Sequence, residues 1–300
     1  MPDAPAGLRP DLRPLPPVRP EFERITEDAG NVGAVERPLG LWERLANVTA
    51  LRRIAILVVI ALLWQAYGAY LDNPLMLPTF TETAAAFFDA LLHGGLLQRA
   101  WVSIAVLLKG YALGVLIAAV LTSLAVSTRI GNDLLATLTA MFNPLPAIAL
   151  LPIALLWFGL GDGSLIFVLI HAVLWPLALN THSGFMAVSD TMRMVGRNYG
   201  LKGLRYVLKI LIPAASPAIL AGLKIGWAFA WRTLIAAELV FGVSSGSGGL
   251  GWFIFENKNE LEIAYVFAGL VSVIIIGLLV ENLVFRTLEA HTVRKWGMLR

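Results

Sequence analysis

The chain has 300 residues, 58% hydrophobic and 14% charged, with a mean hydropathy of +0.75 and a formal net charge of +3. A soluble domain carries about 25% charged residues, and the apolar runs here are continuous rather than alternating over about ten residues as in a β-barrel, so the composition describes an all-α integral membrane protein. The absence of cysteine excludes disulfides and thiolate chemistry. The four histidines (His93, His171, His182, His291) form no H-x-x-x-H pair, which argues against a metal site.

Residues 1–52 differ from the rest. Seven prolines fall within the first twenty positions, followed by charged residues, which reads as an extended Pro-rich arm. It is not expected to be a signal peptide, because no apolar stretch begins near the start. Within it, PLGLWERLANV (38–48) spaces Leu39, Leu41, Trp42, Leu45 and Val48 along one helical face. Both an interfacial helix and an ordered linker fit this pattern.

Six transmembrane helices are expected, at about 54–71, 98–126, 133–159, 164–181, 211–240 and 263–284, each long enough for ~30 Å of hydrocarbon. The third carries Asn143, Pro144, Pro146 and Pro152. Proline frees backbone carbonyls and kinks helices, and broken helices are tolerated at membrane depth where they line a cavity. A pathway-lining third span is preferred to a simple packing kink. The external stretch SSGSGG (244–249) lacks the Gly-Lys-Ser/Thr ending of a phosphate loop and reads as a flexible loop.

Lys and Arg set the orientation. With the N-terminus inside, eighteen basic residues fall on that side: eight in the arm, Arg129, five between 182 and 210, and four in the tail 286–300. The outer segments carry only Arg99 and Lys258. Both termini are therefore expected in the cytoplasm. The basic residues flank spans and form no soluble basic domain, so no nucleic-acid partner is expected.

The stretch RNYGLKGLRYVLKILIPAASPAI (197–219) is thus cytoplasmic. Lys202, Arg205 and Lys209 share one helical face, while Leu204, Val207, Leu208 and Leu211 share another. The expectation is an amphipathic helix lying on the membrane surface. Gly200 and Gly203 turn the chain, and Pro213 opens the fifth span.

Lys109, Lys224, Arg232 and Glu238 lie within spans, where a charge at the centre costs ~2.5–3.5 kcal/mol and so faces protein or water. Arg232 and Glu238 stand six residues apart, too far round an unbroken helix to pair. Lys109 and Lys224 read either as snorkelling or bridging side chains, or, for Lys109 with Arg232, as groups that favour an anion in the path. Glu281 is expected to snorkel.

Taken together, these motifs resemble the binding-protein-dependent ABC importer permeases, in their nitrate/sulfonate/taurine/bicarbonate branch. The family's cytoplasmic signature is E-A-A-x-x-x-G, nine residues, then I-x-L-P. Here Gly200 is followed by nine residues and then Ile210-Leu211-Ile212-Pro213, with Met194-Val195-Gly196 in place of E-A-A. NPLPAIALLPIALLWFGLGDGSLIF (143–167), AAELVFGVSSGSGGLGWFI (236–254) and TVRKWGM (292–298) resemble further regions of that branch.

The resemblance implies the type I ABC importer permease fold: a six-span domain over 53–285, a cytoplasmic coupling helix within 190–210, and a basic tail over 286–300. It implies that Met194, Arg197, Asn198, Tyr199, Gly200, Leu201, Lys202, Arg205 and Pro213 form or rim the contact with an ATP-binding subunit. The translocation path would use Asn143, Pro144, Pro146, Arg232, Glu238 and Lys109. The implied partners are two ATP-binding cassette subunits holding ATP and Mg, a periplasmic or lipid-anchored substrate-binding protein, a second copy of this permease, and membrane lipid. The chain itself has no P-loop and no nucleophile–base set, so no catalytic residue or cofactor is expected in it. The expected function is import of a small, anionic solute across a bacterial inner membrane, driven by ATP hydrolysis in the partners. The alternative is a stand-alone secondary transporter or channel, which would show inverted repeats or acidic relay residues; only Glu238 is deep and acidic.

Overall fold

The computed structural model describes residues 47–241 and 248–294. Most of the Pro-rich arm, the 38–48 segment up to residue 46, most of the 244–249 loop and the tail from 295 lie outside the described residues. Among those described, regular structure is helical throughout, and five helices are long and apolar enough to cross a membrane.

These five are α1 (Thr49–Leu71), α3 (Leu96–Ser127), α6 (Asp162–Met186), α10 (Ser216–Phe241) and α12 (Ile263–Leu279), the last continuing through π-helical turns and the short α13 (Arg286–Glu289). The third expected span is not one straight helix. It is a pair, α4 (Arg129–Phe142) and α5 (Leu151–Phe158), and the chain bends by 89° between them. Pro144 and Pro146 cannot supply the N–H groups that would continue α4, and Pro146 adopts extended backbone (φ −60°, ψ 122°) that redirects the chain. Pro152 does not interrupt anything. It sits in the first turn of α5, where its missing N–H costs little.

Two short helices were not anticipated. α2 (Phe80–Leu92) opens on a reciprocal cap in which the Thr79 hydroxyl accepts from the Glu82 N–H while the Glu82 carboxylate accepts from the Thr79 N–H. α11 (Leu250–Asn259) begins directly after Gly249. Both fell in stretches too short or too polar to register as spans.

α6 is the centre of the bundle. Of its apolar window 61% is buried within the chain, against 6% for α1. α6 is held between α3 and α10 by two glycine pairs of identical spacing. Gly110 and Gly114 of α3 meet Leu169 and Val173, and Gly222 and Gly226 of α10 meet Leu177 and Val173. A Cβ at Gly114 would come within 2.8 Å of the Val173 Cβ. Helices in lipid gain little from the hydrophobic effect and associate through close backbone approach, which small residues four apart permit.

Candidate functional site

The bend between α4 and α5 opens a cavity of about 330 Å³. Its walls are the 143–148 segment, one face of α6 around His171, Trp175 and Pro176, and Phe229, Arg232 and Thr233 of α10. Among the path residues expected from the sequence, Asn143, Pro144, Pro146 and Arg232 therefore converge. Lys109 and Glu238 do not line this cavity. Lys109 instead pairs with Asp162 at 3.1 Å, joining α3 to the start of α6.

The polar lining is rich in donors and contains no carboxylate. The Arg232 guanidinium donates from Nε to the Ala228 carbonyl at 3.1 Å and lies 5.0 Å from the Phe229 ring centre. Neither ring nitrogen of His171 has a hydrogen-bond partner, and neither does the buried indole N–H of Trp175. A buried unpaired polar group costs roughly 1–3 kcal/mol, so these nitrogens call for a partner in the cavity, whether ordered water or a ligand. Phe142 stacks on Trp175 with ring centres 5.3 Å apart, fixing the indole plane. Pro176 lies within α6 and removes the donor that would pair with the carbonyl of Ala172, another cavity-lining residue. Sequence reading missed His171 and Trp175. Their signal was present: a lone histidine in an apolar span, with tryptophan four residues on, shares one helical face with it.

Glu238 has a separate place. It is fully buried between α10, α3 and α11. The Ser103 hydroxyl reaches its carboxylate at 2.8 Å, and the Gly251 N–H donates to it at 2.8 Å. Arg232 and Glu238 do not pair with each other: each finds partners of its own, as their spacing requires.

The connector after α6 also departs from the expected single surface helix. Its independent helix is α7 (Asp190–Asn198), which lies before Lys202. Ser189 caps it, Asp190 sits in its first turn and Arg197 in its last, matching the helix dipole at both ends. It ends on Gly200, whose φ of +69° is left-handed, with Gly200 N–H to the Arg197 carbonyl and Leu201 N–H to the Gly196 carbonyl. Lys202 is extended (φ −137°, ψ 157°), so it precedes the following helical turns rather than sharing a face within them. α8 (Gly203–Tyr206), a π-helical turn and α9 (Ile212–Ala214) then lead to α10, and Pro213 belongs to α9 rather than to the span itself. Met194, Arg197, Asn198, Tyr199, Gly200, Lys202 and Arg205 are exposed, while Leu201 and Pro213 are half-buried. Gly196 is buried on Tyr206, where a Cβ would come within 2.9 Å of the ring. The departure from E-A-A thus coincides with a tight contact to the returning chain.

Glu281, expected to snorkel, keeps an exposed side chain and also gains a partner within the bundle. It lies 3.4 Å from Lys224, which also contacts Glu289 at 3.0 Å, so α10 is tied to the end of the last helix.

A helical bundle with a broken span bordering a polar cavity at its packed centre has the build of a membrane permease. Residues 110–296 match the family described as binding-protein-dependent transport system inner membrane component, and the chain belongs to that family of ABC importer permeases. It is 32% identical over 239 residues to the nitrate import permease NrtB of Synechocystis sp., covering 77% of this chain and 84% of the relative. It is 30% identical over 238 residues to a putative ABC transporter permease of Methanocaldococcus jannaschii, covering 77% and 86%. The taurine transport system permease TauC of Escherichia coli is 28% identical over 230 residues, covering 75% and 82%.

Proposed function

We propose that this chain is the membrane-spanning subunit of an ATP-driven importer for a small anionic solute, and that the cavity at the α4–α5 bend is where the solute passes. The observation that carries this reading is the cavity lining itself: Arg232, with His171 and the Trp175 indole unpartnered beside it and no carboxylate in the wall. Relatives named for nitrate and taurine transport support an anion. In this reading both termini are cytoplasmic. The α7 helix and the Gly200–Arg205 turn dock an ATP-binding subunit that holds ATP and Mg, and an external binding protein delivers the solute. A second permease chain, in the simplest case another copy of this one, completes the path. Closure of the ATPase pair would move α7, and with it the inner end of α6, to expose the path alternately to each side.

The test is uptake in proteoliposomes containing the whole complex, with labelled nitrate, taurine and ethanesulfonate as probes. Arg232→Gln should lower ATP-dependent uptake of the transported anion by about 10- to 100-fold, the equivalent of one charge-assisted hydrogen bond. Unchanged uptake in that variant would remove the anion reading. Failure of the chain to co-purify with any ATP-binding subunit would remove the importer reading.

A further inference from the structure

α6 carries a second pattern beyond the cavity. His171, Trp175 and His182 stand at spacings of four and seven, so they lie within about 40° of one another around the helix and span about 16 Å along it. Each has a buried side-chain nitrogen without a hydrogen-bond partner. Thr139 of α4 has a buried hydroxyl in the same condition. Among the described residues, eight hold such atoms, and these four fall along one seam between α4 and α6.

Three voids lie along the seam. Beyond the cavity at the bend, a second void of about 340 Å³ lies between α4 and α6, lined by Thr139, Ala140, Leu179 and His182. His182 borders a third, of about 450 Å³, with Arg129, Asn132 and Arg193. The Phe142–Trp175 stack stands between the first and second voids, since Phe142 is one turn from Thr139 on α4 and Trp175 one turn from Leu179 on α6. Asp133 also lines the third void, and Arg193 is partly engaged, donating to the Phe185 and Val188 carbonyls.

We propose that the α4–α6 seam is the inner half of the solute route, with Thr139 and His182 as a second binding station between the Phe142–Trp175 constriction and a basic mouth at Arg129 and Arg193. This rests on the reading of the bend cavity as a solute path, and it adds the direction and the residues of the exit. The station takes the same class of ligand, a small anion with hydrogen-bond-accepting oxygens. His182 and Thr139 supply hydrogen-bond donors for those oxygens, and the two arginines draw the anion towards the mouth. Unpaired donors suit a passing ligand, because binding need only be strong enough to admit it and weak enough to let it leave.

The native chain has no cysteine, so single cysteines report on this seam without background. The experiment uses the full chain in inverted membrane vesicles with its ATP-binding subunit. Ala140→Cys, Thr139→Cys and His182→Cys are each treated with anionic 2-sulfonatoethyl methanethiosulfonate and with the cationic trimethylammonium analogue. Val173→Cys, buried between α3 and α10, is the unreactive reference. A thiol reacts through its thiolate, which forms in water and not in packed apolar surroundings. The expected result is labelling at all three seam positions, about tenfold or more faster with the anionic reagent, as a basic mouth concentrates anions. Arg193→Gln should reduce that preference. Ala140→Cys is a small change that keeps the test informative if His182→Cys misfolds. Labelling at the slow rate of Val173→Cys would overturn the seam while leaving the bend cavity, tested separately through Arg232→Gln, untouched. Faster labelling by the cationic reagent would overturn the anion assignment for seam and cavity together.

Discussion

The Ser103 hydroxyl lies 2.8 Å from the Glu238 carboxylate and at the same time accepts the Leu250 N–H at 2.9 Å. This joins three helices at one buried point. The N-cap residue of α11 is Gly249, which has no side chain to cap it. The N–H groups of Leu250 and Gly251, left without partners inside the helix, are taken up by Ser103 and Glu238 from α3 and α10. A carboxylate at a helix N-terminus is also favourably placed against the dipole. Glu238 is thus an anchor for the start of α11. Glu238→Ala would strand the Gly251 N–H and the Ser103 hydroxyl, at about 1–3 kcal/mol for each buried group, and should lower the melting temperature of the detergent-purified protein markedly. Glu238→Gln retains an acceptor and should cost much less. Equal melting temperatures for the two variants would refute the anchor.

The glycine pairs on α3 and α10 make a second prediction. Gly114→Leu would drive a side chain into Val173, which is fully buried between the two pairs. Overpacking of this kind costs about 1–3 kcal/mol, and separation of α3 from α6 would show as loss of a single peak in size-exclusion chromatography. Gly226→Ala should be milder, because its nearest neighbour would be the Val173 side chain at 3.3 Å, a tight contact relieved by a shift of a few tenths of an ångström. A reversed order of severity would mean that α6 is not held as described.

Gly200 makes a third. A non-glycine residue in left-handed backbone costs about 1–2 kcal/mol, and Asn tolerates it best. If α7 is the docking helix, Gly200→Asn should keep the permease-dependent ATPase activity of the complex. Gly200→Val should lower it severalfold without loss of expression. An effect on folding alone, seen as reduced yield of both chains, would place Gly200 in the permease core rather than at the contact.

Much of this architecture was legible in the chain. Positions 54–71, 98–126 and 164–181 stand out as apolar runs and fall inside α1, α3 and α6. The interruption of the third span was legible from Pro144 and Pro146. Its size, 89°, was not, because proline removes hydrogen bonds without fixing the direction the chain takes next. The site was half legible. Arg232 and Asn143 announce themselves as polar residues in apolar runs, and the cavity joins them. Glu238 announces itself equally, yet it serves α11, because burial alone does not say which neighbour a charge meets. His171, Trp175 and His182 went unread because a period of 3.6 among three polar residues is faint inside a helix that is apolar on every side.

The last prediction concerns the link between α2 and α12. The Tyr265 hydroxyl donates to Asp89 at 2.7 Å. This bond, and a second from His93, hold the Asp89 carboxyl below its ordinary range. A carboxylate whose pKa is lowered on folding binds its proton less readily in the folded state, so the link is fully present above the unfolded value of about 3.9. It weakens as pH falls through the lowered folded value. The protection that Asp89 gives to amides in residues 80–92, once corrected for intrinsic rates, should therefore be lost only below about pH 4. Tyr265→Phe removes the larger of the two contributions and should raise exchange in α2 at neutral pH while flattening its acid response. A Tyr265→Phe variant with the native acid response would show that Asp89 does not hold the two helices together.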